Sequence, residues 1–164
     1  MLKCLTTAAA LAGLLLGGAA ARADVVERSV VGVWKLEAHD KNGTFEYCTA
    51  TSPYGNGAEV HFMLTRKLQW TVLIKNPRWN WRPESQGSVT YWIDSHDRRD
   101  GRVMALQANV LMVVLADSQQ LMEEIREGNV MYFQPQGADS FSITLKGTSD
   151  ALNALMSCMR RNYR

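Results

Sequence analysis

The sequence predicts a mainly β fold of the α+β kind: an antiparallel β-sandwich or partly open barrel, with a short mid-chain helix and a C-terminal helix packed on it. Three observations predict it. From Val30 onward, short runs of β-branched and aromatic residues are separated by Gly, Pro, Asn and Asp turn signals. Two stretches alone repeat apolar residues at helical spacing, near residues 118–127 and 149–160. No repeat or low-complexity segment interrupts the pattern.

The elements follow in order. Residues 31–38 alternate, with Val31, Val33 and Lys35 on one face and Trp34 and Leu36 on the other. Lys41-Asn42-Gly43 marks a hairpin turn. Residues 44–52 form a strand carrying Cys48, with Phe45 and Tyr47 of opposite parity. Residues 53–57 read as a loop, and 58–65 and 69–75 as strands, the latter with Trp70, Val72 and Ile74 on one face. Residues 76–88 are irregular and hold Pro77 and Pro83. Residues 89–94 and 102–109 flank a charged turn at 95–101, where Asp100-Gly101 supports a tight hairpin. The apolar run 110–116 predicts a strand buried on both faces. Asp117 is a candidate N-cap, Leu121, Met122 and Ile125 make one helical stripe, and Gly128 ends it. Residues 130–133 and 140–145 are the last strands. Thr148 or Ser149 then caps a helix whose buried stripe is Ala151, Leu152, Leu155, Met156, Cys158 and Met159. Arg160, Arg161 and Arg164 lie at its end, where cations suit the helix dipole.

The first 23 residues have the form of a cleaved signal peptide. Lys3 is the positive start, residues 5–16 the apolar run, and Ala21-Arg22-Ala23 the small-residue cleavage site before Asp24. The run is too short to span a bilayer, so no integral membrane segment is expected after cleavage. Residues 24–164 then form a single β-rich domain. Loss of Lys3 and Arg22 brings the 18 basic residues level with the 16 acidic ones. A neutral chain offers no electrostatic footprint for nucleic acid or for an anionic membrane surface. The expected location is periplasmic or secreted. Cys4 leaves with the signal, and the remaining even pair, Cys48 and Cys158, reads as a disulfide in an exported chain. Buried free thiols or two catalytic thiols are the alternatives, although the close C-x-x-C spacing of redox sites is absent.

Several residue groups could carry chemistry. Asp94-Ser-His96-Asp97-Arg-Arg-Asp100 gathers three carboxylates and an imidazole, but Arg98 and Arg99 repel a cation and a solvated turn explains it. His39, His61 and His96 are candidates for a hydrolase triad, yet no Gly-x-Ser-x-Gly elbow accompanies them, and His61 reads as a hydrogen-bonded structural residue. Met104, Met112, Met122, Met131, Met156 and Met159 read as core packing rather than a copper site, so no metal and no cofactor are expected. Pro77-Arg78-Trp79-Asn80-Trp81-Arg82-Pro83 is the most unusual segment. If extended, it puts Trp79 and Trp81 on one side and Arg78 and Arg82 on the other. Tryptophan beside arginine is typical of partner interfaces and of sugar stacking. The competing reading makes the two indoles a plug on one end of the core. Tyr54 and Trp92 are their expected neighbours in a binding surface.

The tail reads Phe141-x-Ile143-x-Leu145-x-Gly147-x-x-x-Ala151-Leu152-x-x-Leu155-x-x-Cys158. This strand–Gly–helix–Cys ending resembles that of small exported alphaproteobacterial proteins, the invasion-associated locus B group or an uncharacterised sister family. Trp34, Asp94 after a strand, and the helix before Gly128 agree in outline. The group often has a further cysteine pair mid-chain, which is missing here. The resemblance implies an exported β-rich domain with a disulfide and a C-terminal helix, and no defined catalytic residues. The function expected is a non-enzymatic binding domain for an unknown protein or envelope component. A small-molecule or glycan binder, or a hydrolase, is the alternative.

Overall fold

The computed structural model describes residues 23–163, so the expected signal segment lies outside the described residues apart from Ala23. Ten strands run in chain order: β1 (Asp24–Val31), β2 (Trp34–Lys41), β3 (Thr44–Pro53), β4 (Glu59–Thr65), β5 (Trp70–Lys75), β6 (Gln86–Ile93), β7 (Arg99–Gln107), β8 (Val110–Val114), β9 (Val130–Pro135) and β10 (Phe141–Thr144). Helix α1 (Gln119–Glu127) follows β8, and α2 (Thr148–Asn162) follows β10. All pairings are antiparallel, in one sheet of order β1-β2-β3-β4-β5-β8-β7-β6-β9-β10. Among the described residues the sheet does not close, and β1 and β10 are its edges. It curls instead, because side chains from β4 and β5 line the same cavity as residues of β10.

Alternation decides which face is buried. Leu36, Cys48 or Ala50, Phe62, Val72, Val113, Val103, Tyr91 and Phe133 succeed one another across the strands on the inner face, all buried. Helix α2 lays Ala151, Leu152, Leu155, Cys158 and Met159 on the β1–β4 end of that face. Truncating a leucine such as Leu155 to alanine there costs about 2–5 kcal/mol. The Cys48–Cys158 disulfide joins β3 to α2 across 110 residues, with Cα atoms 6.4 Å apart. Its pairing agrees with the sequence expectation.

Some local expectations are corrected. Gly32-Val33 is not strand but a two-residue hairpin, because Val31 pairs with Trp34 and Gly32 has φ +56°. The missed strand is β1, an edge in which no residue is fully buried and exposed valines blur the alternation. A register shift after His39 brings Phe45 opposite Asp40 and turns its ring into the core, so Phe45 and Tyr47 do not share a face. The turn after β6 falls at residues 94–98, and Asp100-Gly101 lies inside β7. A Cβ on Gly101 would sit 2.9 Å from both Tyr91 Cε1 and the Val114 carbonyl, so close approach explains this glycine. β8 is buried on one face only; Met112 and Val114 are half-buried on the outer face. Ser118, not Asp117, caps α1 by accepting the Leu121 N–H at 3.3 Å. Gly147 occupies the N-cap of α2 in a left-handed conformation with φ +76°. Thr148, inside the first turn, donates instead to the Ile125 and Leu145 carbonyls at 2.9 and 2.6 Å.

Candidate functional site

Residues 76–85 cross one end of the curled sheet. Main-chain bonds hold them to the β7–β8 hairpin: Asn76 N–H to Asn109 at 2.9 Å, Trp81 N–H to Ala108 at 2.7 Å, and Glu84 N–H to Ala105 at 2.8 Å. Trp79 and Trp81 fall on the same side, edge to face, with ring centroids 6.2 Å apart. Both are half-buried and pack against the core. Trp79 also meets Phe141 of β10 at 4.9 Å. Arg78 and Arg82 are exposed.

Beside Trp79 the sheet end remains open. Tyr54, Val60, Ile74, Trp79, Phe141 and Ile143 line a cavity of about 280 Å³, and none of its lining residues is charged. The Tyr54 hydroxyl crosses the mouth and donates to the Thr144 carbonyl of β10. Burial pushes this phenol up, so it remains protonated and a donor. The structure thus brings Tyr54 and Trp79 together. Trp92 is elsewhere, on the outer face, where it stacks on Tyr132 at 5.3 Å with the Arg98 guanidinium 4.0 Å from its ring centroid.

A second concavity, which sequence reading missed as a unit, lies on the outer face of β2–β5. Its volume is about 490 Å³. Two Glu-x-His repeats, Glu37-Ala-His39 on β2 and Glu59-Val-His61 on β4, flank Thr49-Ala-Thr51 on β3. His39 Nε2 and Thr49 Oγ1 share a hydrogen bond of 3.2 Å, and His61 Nδ1 and Thr51 Oγ1 one of 2.8 Å. Tyr47 stacks on His39 at 4.5 Å. Burial pushes both imidazoles below the ordinary histidine value, despite Glu37 and Glu59 nearby. At Glu37 burial opposes ionisation, but bonds from Lys35 and Arg28 outweigh it and hold the carboxyl low. The i, i+2 spacing was the available signal for this cluster. Each imidazole also has a carboxylate beside it: Glu59 Oε2 lies 3.6 Å from His61 Nε2, and Glu37 Oε2 3.8 Å from His39 Nε2.

The 94–100 cluster serves the fold. Asp94 accepts the Asn129 and Val130 N–H groups, each at 2.9 Å, and those bonds lower its pKa. Arg99 grips Glu124 of α1 through two bonds of 2.7 and 2.8 Å, which hold that carboxylate low. Among the described residues no group of three or more His, Cys, Asp or Glu is placed to hold a metal ion. No helix among them is long and apolar enough to cross a membrane.

No family model and no curated protein matches the chain. Among solved structures, invasion associated protein B from Bartonella henselae is similar in fold, with a TM-score of 0.58 at 13% identity. The likeness covers 83% of this chain and 99% of that one. At that identity it shows a shared fold, in line with the resemblance of the tail.

Proposed function

We propose that the chain is a non-enzymatic binding domain of the periplasm or the extracellular space, and that it receives an apolar group of a protein or envelope component. One observation carries the reading: Tyr54 and Trp79, with Phe141, line one uncharged cavity at the open end of the sheet. Concave, mostly apolar sites with a few polar groups at the rim are the usual form of binding sites. The disulfide suits an oxidising compartment. The stacked Trp92–Tyr132 pair favours the glycan alternative, but Arg98 lies over the indole where a sugar would stack, so the end cavity is preferred.

Tryptophan emission tests the reading. Titration of the oxidised protein with laurate and with N-acetyl-phenylalanine amide should shift the emission with at least one probe. Ala58→Phe, which fills the half-buried mouth, should abolish the shift while the protein stays folded. No response to either probe, or an unchanged response in Ala58→Phe, would sink the reading.

A further inference from the structure

Resting on the pocket assignment above, we infer that its occupant is an extended peptide that pairs with the outer edge of β10 at Ser142 and sends one uncharged, apolar side chain into the cavity. Among the described residues β10 ends the sheet and pairs as a strand on one side only, with β9, while the Tyr54 hydroxyl holds the Thr144 carbonyl of its outer edge. The Leu145 N–H donates to the Asn129 carbonyl at 2.8 Å, which continues that ladder. Antiparallel bonds alternate. Phe141, Ile143 and Leu145 therefore direct their main-chain groups to β9, and Ser142 and Thr144 direct theirs outward. Tyr54 confirms the phase independently, because its hydroxyl reaches the Thr144 carbonyl from across the mouth. The outward groups of Ser142, one donor and one acceptor, border the cavity, and Ser142 is exposed.

An extended chain laid beside β10 meets that donor and acceptor with strand spacing, as in recognition by strand addition. Its alternate side chains point to the same face as Phe141 and Ile143, toward Val60 and Ile74. A cavity of about 280 Å³ suits one or two apolar side chains rather than a large ligand. Its lining carries no charge, which selects against Asp, Glu, Lys and Arg at the entering position. An acyl chain would fill the same space but would cover the Ser142 amide and carbonyl without pairing them, at the cost of burying unbonded polar groups. A peptide pairs them, and for that reason it is preferred to a lipid.

The probe is acetyl-Thr-Val-Phe-Val-Thr-amide, with two twins N-methylated along one backbone edge or the other. Binding is read by calorimetry on the oxidised protein. The parent should bind, one twin should lose about tenfold or more in affinity, and the other should bind like the parent. Ser142→Pro should weaken the parent similarly, since proline is tolerated on an edge strand but lacks the donor. Should Ser142→Pro fail to fold, the twins decide alone. Equal binding of both twins, or binding of laurate without the peptide, would overturn the peptide inference and leave the apolar pocket standing. Failure of the peptide, laurate and N-acetyl-phenylalanine amide alike would overturn the two together.

Discussion

Arg99 shows what a single residue contributes when its partner is buried. Glu124 is 6% exposed, and the guanidinium supplies two of its hydrogen bonds. Arg99→Met leaves a buried carboxylate without its cation and should cost about 3–5 kcal/mol. The double variant Arg99→Met plus Glu124→Met should recover most of that loss, and urea midpoints of the two proteins test the difference. His39 and His61 make a separate prediction in pH. Their folded pKa values lie below the ordinary value near 6.5, so the unfolded chain binds the extra proton first. Stability from these groups is full above that value and declines as pH falls through it. The groups facing them are Arg28 from β1, Lys35 and Glu37 from β2, Glu59 from β4 and Lys75 from β5. Asp94, Glu37 and Glu124 have lowered values and act in a lower window, losing their contribution as pH falls through the carboxylate range. Unfolding midpoints should therefore drop between pH 7.5 and 5.5 in the wild type, and much less in His39→Asn plus His61→Asn.

At the scale of elements, the sequence made the inner face legible and the outer face not. Trp70, Val72 and Ile74 are buried on one face of β5, which their i, i+2 spacing predicts, although Thr71 is buried as well and Leu73 is equally apolar. The run 110–116 hides the same alternation: Met112 and Val114 are as apolar as Leu111 and Val113, though only the latter pair is buried. The register shifts after Val25, His39 and Ala105 are set by pairing partners far along the chain, which no local window contains. The end cavity was half visible, through Tyr54 and Trp79. Phe141 and Ile143 were visible only as strand residues, because curling of the sheet brings them to the mouth. Helix α2 depends on its tether. Both cysteines are buried, at 0% and 3% exposure, so alkylation should require unfolding as well as reduction. Reduction should cost about 4–5 kcal/mol for a loop of this size, checked by melting with and without reductant.

For the whole molecule, the decisive property is that the sheet curls without closing. Among the described residues, the Tyr54 hydroxyl on Thr144 and Trp79 on Phe141 span the gap between its halves. Tyr54→Phe should lower global stability by only about 1 kcal/mol. It should nevertheless speed amide hydrogen exchange at Ile143 and Leu145 more than elsewhere, because among the described residues β10 has no strand on its far side. Uniform acceleration across the sheet would argue against a local latch. The long disulfide loop also has a meaning in time. With chains made at about 5–20 residues per second, Cys48 waits roughly ten seconds for a partner 110 residues behind it. During that interval Cys4 is the sole other cysteine in the sequence. Oxidation that begins before the last helix is available can pair Cys48 only with Cys4, so the native bond requires that Cys48 stay reduced, or be released from Cys4, until Cys158 is present.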